Sequence, residues 1–389
     1  MTAGLPLGGI RVLDFSQMMA GPLAGMLLGD FGADVIKIEP PEGDPLRRTG
    51  ETQVGGESEY YLSLNRNKRS LILDLKSPEG LSTARSLARD ADVVVENFRP
   101  GTADRLGIGY EALRALNPRL VYCSLSGFGA AGAHRERPAL DPVIQAMSGI
   151  MQLTGTTTSG PLRTGFPVSD YATPLLALSG ILAALVARNT SGVGQRIDLS
   201  MLDATIFSLL PREGFYFATG RTPERSGNAH YQLAPYNTYE TADSRQIFLI
   251  GHNEKYWQAI VRALEAEELA SDPRFGSAGS RHAHRSELDR ELTDRIRERP
   301  IDHWVARLTA AGALFSVVRT WDEVFADPEV QRDMIATVPH PVAGTLRLLA
   351  NPVRFAGASL PIRRHPPRLG EHNAEILAEL DTTDSRCPG

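Results

Sequence analysis

Cysteine is scarce in this chain of 389 residues, where Cys123 and Cys387 are the only two. Two cysteines cannot provide the several cross-links of a disulfide-stabilised domain, which predicts a reducing compartment. Basic charge is not in excess either, because 41 lysines and arginines stand against 46 acidic residues and the net charge is −5. A protein that binds nucleic acid needs a basic face, so nucleic acid is excluded as an expected partner.

Long apolar runs are missing as well. The longest, residues 174–187, is shorter than the roughly 20 residues that cross a bilayer. The start, MTAGLPLGGIRVLDF, lacks the basic and apolar regions of a secretion signal. We therefore expect a cytoplasmic protein that does not associate with a membrane. The length exceeds what a single hydrophobic core supports, which predicts either two lobes or one large domain with a sizeable insertion.

The amino-terminal half alternates short apolar, β-branched runs with helical patterns. Strands are predicted at residues 9–15, 32–39, 70–76, 92–98 and 119–129. The helix after the third strand has Ser77 as a cap and Pro78 at its first position. Strands that are apolar nearly throughout and alternate with helices are typical of a parallel sheet covered on both faces. The predicted fold class is therefore α/β, with a Rossmann-like large domain.

The second half is more helical. A long apolar helix is predicted over residues 170–188, and the polar segment 219–232 predicts a domain connection. Two short strands in YNTYETADSRQIFLIG and three amphipathic helices follow, which indicates a smaller α+β domain. Near the end, residues 341–356 have strand character and a short helix is predicted near residues 371–380.

Common chemical motifs are absent. SQMMAGPLAG follows the first strand instead of the G-x-G-x-x-G of a dinucleotide site, and the P-loop, H-E-x-x-H and G-x-S-x-G patterns do not occur. His282 and His284 lie in a polar helix start and are predicted to be solvated, so no metal site is expected. Cys123 lies within a strand and is predicted to be a buried thiol.

Asp170 differs from the other acids because it opens the long apolar helix after a glycine- and proline-containing loop. The residues alone leave two interpretations open. Aspartate is a good amino-terminal cap, and a carboxylate at a helix amino terminus can also act as a nucleophile.

Six stretches, spread over the whole chain, carry a family resemblance. They are VLDFSQMMAGP, GADVIKIEPPEGD, NRNKRSLILDLKSPEG, ADVVVENFRPGTADRLG, the loop and helix around Asp170, and LGEHN. In this order they resemble the class III CoA-transferases, of the formyl-CoA and carnitine CoA-transferase type, which are related to the α-methylacyl-CoA racemases. The resemblance implies an interlocked homodimer that takes acyl-CoA and a small carboxylate as substrates and has no tightly bound cofactor.

The resemblance also implies that both chain ends build the large domain. The expected division is 1–218 for the first part of the large domain, 219–328 for the small α+β domain, and 329–389 for a segment that returns to the large domain. In such enzymes an aspartate attacks the acyl-CoA thioester and forms an anhydride and then an aspartyl-CoA thioester. This role falls on Asp170.

Site residues carried over from the family for CoA are Met18, Met19, Leu73, Lys76, Asn97, Phe98, Arg105 and Leu106. Lys76 and Arg105 suit phosphates, and Asn97 and Phe98 suit the adenine or the pantetheine arm. The alternatives are a solvated strand end for Lys76 and a surface ion pair for Arg105. Met18 and Met19 argue against a site specific for oxalate or formate. Candidates for the acceptor are Arg47, Arg48 and residues 227–239. In that stretch His230 and Tyr236 are the candidate contacts, and loop packing is the alternative for each.

The racemases need a histidine that pairs with the aspartate. Here Leu140 occupies that place, Asp141 follows it, and His134 lies six positions earlier. Leucine cannot exchange a proton, which favours the transferase over the racemase. A CoA-binding protein without turnover is the alternative from another class.

Overall fold

The computed structural model describes residues 4–356 and 358–384, and the chain divides into two compact units. Unit 1 comprises Met1–Ile150, Arg163–Gly214 and Pro328–Gly389, and unit 2 comprises Met151–Leu162 and Phe215–Asp327. The division predicted at residues 218/219 thus falls at 214/215, and the one predicted at 328/329 falls at 327/328. Cys387 lies outside the described residues.

Residues 151–162 differ from the prediction, which placed them in the large domain. They join unit 2 because they bond to a segment far along the chain. The amide of Gly227 donates to the carbonyl of Gly155 over 2.8 Å, and the Arg225 side chain donates to the carbonyl of Thr156 over 3.1 Å.

Strands and helices are numbered in chain order. The strands are β1 Arg11–Asp14, β2 Asp34–Glu39, β3 Gln53–Val54, β4 Glu57–Ser58, β5 Lys68–Ile72, β6 Val93–Glu96, β7 Val121–Ser126, β8 Arg196–Ser200, β9 Tyr236–Glu240, β10 Gln246–Ile250, β11 Phe315–Val317, β12 Ile335–His340, β13 Gly344–Leu349, β14 Arg354–Phe355 and β15 Ala358–Ser359. The helices are α1 Ala20–Asp30, α2 Glu59–Leu64, α3 Pro78–Arg89, α4 Thr102–Arg105, α5 Tyr110–Leu116, α6 Asp141–Ser148, α7 Ile150–Leu153, α8 Val168–Ser191, α9 Met201–Phe207, α10 Glu213–Thr219, α11 Glu254–Leu264, α12 Glu267–Ser271, α13 Ala278–Ala283, α14 Arg285–Ile296, α15 Ile301–Ala311, α16 Trp321–Ala326, α17 Pro328–Met334 and α18 Asn373–Asp384.

The main sheet of unit 1 has six strands in the order β5-β2-β1-β6-β7-β8, all parallel. This confirms the predicted parallel sheet, and the order is that of a Rossmann sheet, three-two-one-four-five-six in chain order. The strand order reverses next to β1, which pairs with β2 on one side and β6 on the other. Ligands of such sheets bind outside the carboxyl ends of the strands at this switch point.

Helices cover both faces of the sheet. On one face, α3, α5 and α18 contribute buried side chains such as Leu87, Leu113 and Ile376. On the other face, α1 and α8 contribute buried side chains such as Leu28 and Ile181. The burial of all these apolar side chains explains why the strands read as nearly continuous apolar runs.

Helix α8 is longer than the apolar run at its centre, since it spans Val168–Ser191. By length and composition it could cross a membrane, and it is the single such helix found in the described part of the chain. Core helices of soluble proteins share this length and composition. One face of α8 packs on the sheet through Ala177, Ile181 and Leu185.

Unit 2 contains the antiparallel sheet β11-β10-β9. Its core joins Ile247 and Leu249 of β10 to Trp257 of α11, Leu288 of α14 and Leu308 of α15. The sequence predicted β9, β10 and these three helices, but it did not predict β11.

Candidate functional site

The loop between β1 and α1 lies at the switch point and is held by side chains. Asn97, just beyond β6, accepts the amide of Gln17 over 2.8 Å and donates to its carbonyl over 2.7 Å. Asp44 accepts the amide of Met18 over 3.1 Å, and Met18 has a φ of 63°, in the left-handed region that non-glycine residues rarely adopt. Asn97 therefore positions this loop, and its contact with CoA stays a prediction.

Two fully buried ion pairs lie beneath the loop. Lys68 Nζ lies 2.8 Å from Asp14 Oδ2, and Lys37 Nζ lies 2.8 Å from Asp44 Oδ2. Lys37 also donates to the carbonyl of Ser16 over 2.9 Å. Burial alone would raise the pKa of Asp14, but the two lysines hold it below its usual value. Burial lowers the pKa of Lys68 to about 8 against the attraction of Asp14. The charges beneath the loop are therefore tolerated in the interior only because each is paired with an opposite charge.

A cavity of about 310 Å³ opens at the carboxyl ends of β1, β2, β5 and β6. It is lined by Phe15, Gln17, Ile38, Glu39, Pro40, Pro41, Glu42, Leu73, Asp74, Leu75, Lys76, Phe98 and Leu106. Four of the residues predicted to bind CoA, namely Leu73, Lys76, Phe98 and Leu106, are therefore brought together. Lys76 is exposed, and its ammonium group makes no ion pair within residues 4–356 and 358–384.

The other four predicted CoA residues, Asn97 among them, do not line this cavity. Arg105 is exposed on α4 and donates to Thr102 Oγ1 over 2.8 Å. Met18 and Met19 are half-buried and pack against an apolar cluster that includes Met26. Their apolar packing explains why the loop carries methionine here.

Asp170 is the third residue of α8. The residue before the helix is Pro167, and no side chain caps the amino terminus of α8 in the manner predicted for Asp170. The cap interpretation is therefore wrong. Among the residues that the structure describes, the Asp170 carboxylate has neither a hydrogen-bond nor an ion-pair partner. Burial raises its pKa to about 7, and the charge of Asp141 adds to the rise.

Topology brings Asp170 to the same edge of the sheet as the β1–α1 loop. Helix α1 follows β1, so its amino terminus lies at the carboxyl edge. Helix α8 leads into β8 and runs in the opposite direction to the strands, so its amino terminus lies at that edge too. The two helices pack against each other. Backbone N–H groups at two helix amino termini thus face the edge where an anion would bind.

Asp141 is a site residue that sequence reasoning missed. It is buried at the start of α6, and its Oδ1 accepts the amide of Ser169 over 3.0 Å and the hydroxyl of Ser169 over 2.6 Å. Asp141 therefore fixes the residue that precedes Asp170. The signal available was an acid directly before Pro142 at a helix start. Leu140, in the place of the racemase histidine, is 64% exposed.

The candidates for the acceptor behave differently from one another. Arg47 is buried, with ion pairs of 2.8 Å to Glu39 and 3.0 Å to Glu57, so its guanidinium group is already paired within the protein. Arg48 is exposed and bonds to the carbonyl of Glu42. Within unit 2, the rings of His230 and Tyr236 are 4.9 Å apart, as the packing alternative expects.

Among the described residues, no group of three histidine, cysteine, aspartate or glutamate side chains lies close enough together to hold a metal ion. His284 lies 3.1 Å from Glu287 and faces solvent in part. Cys123 is fully buried in β7, and burial raises the pKa of its thiol to about 12. That thiol is too weakly acidic to serve as a nucleophile.

The raised pKa of Asp170 predicts a stability effect that does not depend on activity. The native state holds a proton up to about pH 7, whereas the unfolded chain releases it near the ordinary value of 3.8. Stability should therefore fall as the pH rises through this window. We expect Asp170→Asn, which has no charge to bury, to melt at a higher temperature than wild type at about pH 8, with the difference shrinking towards about pH 4. Equal melting temperatures at the higher pH would contradict the burial of this charge.

Comparisons with known proteins extend over both units. Residues 7–373 match the model of a family described as CoA-transferase family III. The chain is 38% identical to a succinate–glutarate CoA-transferase of Agrobacterium fabrum, over 97% of this chain and 96% of that protein. It is 37% identical to a succinyl-CoA:mesaconate CoA-transferase of Haloarcula hispanica, over 96% of each chain. The crystal structure of a CAIB/BAIF family protein from Brucella suis superposes with a TM-score of 0.88 at 38% identity, over 97% of this chain and 100% of that one.

Proposed function

The chain belongs to CoA-transferase family III and is an enzyme that transfers CoA, and from this premise we propose that it moves CoA from succinyl-CoA to a small carboxylic acid by covalent catalysis on Asp170. The observation that carries the proposal is the free, half-buried carboxylate of Asp170 at the carboxyl edge of the sheet. A structural aspartate at this position would be bonded to the helix or to a cation.

The first half of the reaction unloads the donor. The Asp170 carboxylate attacks the thioester carbonyl of succinyl-CoA, the carbon–sulfur bond breaks, and CoA leaves as a thiolate. The product on the enzyme is a mixed anhydride. The thiolate then attacks the aspartyl carbonyl of the anhydride, the carbon–oxygen bond breaks, and succinate leaves. The enzyme now holds CoA as an aspartyl thioester.

The second half loads the acceptor by the same steps in reverse. The acceptor carboxylate attacks the aspartyl thioester and releases the thiolate, which then attacks the acceptor carbonyl of the new anhydride. Acyl-CoA leaves and the Asp170 carboxylate is restored. Backbone N–H groups at the amino termini of α1 and α8 support the negative charge on the carbonyl oxygen at each step.

A panel of carboxylates tests the choice of substrates. The names of both relatives contain a succinate or succinyl-CoA partner, and their other acids, glutarate and mesaconate, are dicarboxylic. We expect succinyl-CoA with at least one dicarboxylate to give the new acyl-CoA by mass spectrometry. Hydrolysis to free CoA with every acid would contradict the proposal.

Two alternative functions, a racemase and a CoA-binding protein without turnover, can be distinguished by isotope exchange. A racemase would exchange the α-hydrogen of a 2-methylacyl-CoA for deuterium in heavy water, which the exposed Leu140 cannot catalyse. A binding protein without turnover would bind CoA but would not exchange label between succinate and succinyl-CoA.

The rate of transfer should have an acid limb. Because the pKa of Asp170 is about 7 in the free enzyme, only about a tenth of the molecules carry the carboxylate at about pH 6. We expect kcat/KM for succinyl-CoA to fall about tenfold for each pH unit below the pKa of Asp170. A profile that stays flat down to about pH 5 would show that Asp170 is ionised by some other interaction.

One cation that lines the proposed CoA cavity and one that neighbours a lining residue in sequence give a binding prediction. Lys76 lines the cavity, and Arg105 precedes Leu106, which also lines it. We expect Lys76→Ala and Arg105→Ala each to raise KM for succinyl-CoA by about 5- to 100-fold, the range for a charge-assisted bond to phosphate. The KM for the acceptor should change little. Arg114→Ala, which removes an exposed arginine of α5, is the control. An unchanged KM for Arg105→Ala would make Arg105 a surface residue bonded to Thr102.

Exposed apolar side chains on α8 support the interlocked homodimer. Tyr171 is 43% exposed, Leu175 is 52% exposed and Val186 is 69% exposed, and none of the three belongs to the apolar cluster through which α8 packs on the sheet. A stripe of this kind is typical of a surface covered by a partner chain. We expect a dimer of about twice 42.3 kDa that persists on dilution, because interlocked chains cannot separate without unfolding. A monomer–dimer equilibrium at micromolar concentration in sedimentation would contradict it.

A further inference from the structure

Gln145 connects the two ends of the loop that precedes Asp170. Its side chain on α6 is completely buried. Gln145 Oε1 accepts the amide of Thr164 over 2.9 Å, and Gln145 Nε2 donates to Asp141 Oδ2 over 2.7 Å. The other oxygen of Asp141 holds both the amide and the hydroxyl of Ser169. One amide thus bonds directly to the start of the loop and, through Asp141, to its end.

The loop has little packing of its own. Phe166 is 53% exposed, and a Cβ placed on Gly165 would meet no atom within 4 Å. Within the loop, Thr164 Oγ1 donates to the carbonyl of Phe166 over 2.6 Å. The Phe166 ring contacts the Tyr171 ring at 5.9 Å between centroids, and the bonds from α6 hold this segment at Thr164 and at Ser169. Helix α8 begins within the segment, at Val168, and Asp170 follows Ser169 directly.

Gln145 also satisfies the second oxygen of a buried acid. Asp141 is 5% exposed, and without the Gln145 donor its Oδ2 would be buried with no partner among the described residues. A carboxylate in that state reorients or takes up a proton. Either change would reach Asp170 through Ser169.

We propose that Gln145 is a positioning residue of the transfer reaction, which holds the loop and Asp141 so that the Asp170 carboxylate is presented in one orientation and without a partner. The proposal rests on the nucleophilic role of Asp170. Misplacing a reacting group by about 1 Å costs about a hundredfold in rate, so the loss of the two bonds should act on the chemical step.

The first test is Gln145→Met, which keeps the length of the side chain and removes both bonds. We expect kcat to fall by about 10- to 100-fold while KM for succinyl-CoA stays within about threefold, because the cavity at the carboxyl ends of β1, β2, β5 and β6 is unchanged. Gln258→Met, at a half-buried position of α11 in unit 2, is the matched control and should leave both constants unchanged. A kcat within about twofold of wild type would overturn the proposal.

The second test is Gln145→Glu, which remains informative if the methionine variant folds poorly. A protonated glutamic acid can donate to Asp141 and accept from Thr164, as the glutamine does. An ionised one repels Asp141 and loses the donor. We expect near-normal kcat at low pH relative to wild type, and a progressive loss of kcat as the pH rises. An equal loss at every pH would show that Gln145 has a merely structural role.

The charged groups around position 145 make this pH dependence interpretable. Asp141 lies on the same helix, and Asp170 lies on α8. The other charged side chain of α8, Arg188, is paired with Asp92 over 2.8 Å. On α9, which packs on α6, Asp203 is exposed. If Asp170→Asn keeps its turnover, the proposed function fails. If that variant is inactive while both Gln145 variants match wild type at all pH values, only the present inference fails.

Discussion

Asp170→Asn is expected to lower the rate of CoA transfer by at least about a thousandfold. Asparagine has nearly the shape of aspartate but cannot form an anhydride, so no step of the proposed cycle can begin. The folded state should not suffer, because the Asp170 carboxylate makes no bond among the described residues and its burial opposes ionisation. The measurement is steady-state transfer from succinyl-CoA, with melting temperature and CoA binding recorded on the same preparation.

Asp170→Ala completes this experiment. It should be as inactive as the asparagine variant and should still bind CoA, because the cavity at the carboxyl ends of β1, β2, β5 and β6 lies on other elements. Near-normal turnover of the asparagine variant would show that the carboxylate is not the nucleophile. Inactivity of the asparagine variant together with lost CoA binding would indicate a misfolded site. The alanine variant then serves as the check, because it should be inactive and should still bind CoA.

Lys68→Met is expected to have the largest effect on stability. It removes the cation that faces Asp14 over 2.8 Å and that also bonds to the carbonyl of Pro22 and the side chain of Asn65. Asp14 would be left as a buried charge with one remaining lysine, Lys37, in its vicinity. Breaking a buried pair in this way costs about 3–5 kcal/mol of the free energy of unfolding. Thermal and denaturant unfolding of the purified protein measure it.

The double variant Asp14→Asn with Lys68→Met separates charge from packing. Asparagine can still accept the amide of Ser16, which bonds to Asp14 over 3.0 Å, but it leaves no unpaired charge. We expect the double variant to recover part of the lost stability. Exposed Lys76→Met is the control and should change the free energy of unfolding by less than about 0.5 kcal/mol. A Lys68→Met protein as stable as wild type would contradict the buried pair.

Much of the fold could be predicted because the relevant signals are local. The strands of the main sheet are apolar because both faces are covered, and their alternation with helices determines parallel pairing. β11 was missed because three residues are too few for a pattern, and β12 was missed because it contains Pro339, which is unusual in a strand. Residues 151–162 were placed in the wrong domain because their partners near Arg225 lie far along the chain.

The residues of the site could likewise be predicted only in part. Leu73, Lys76 and Phe98 follow the ends of strands, and the switch point of the sheet brings them to one cavity. Asn97 and Arg47 carry groups that bind a ligand or the protein equally well, and the sequence does not show that the backbone of Gln17 and the carboxylate of Glu39 are their partners. Asp141 and Gln145 were missed because their function lies in bonds to a loop on another part of the chain.

Trapping of the acylated enzyme tests the central claim most directly. Wild-type protein is incubated with succinyl-CoA without an acceptor, then treated with hydroxylamine or borohydride, digested and analysed by mass spectrometry. We predict that the peptide containing Asp170 is modified at that residue, that a competing dicarboxylate reduces the modification, and that Asp170→Asn shows none. An unmodified Asp170 peptide in enzyme that transfers CoA, or modification at another carboxylate, would contradict the account.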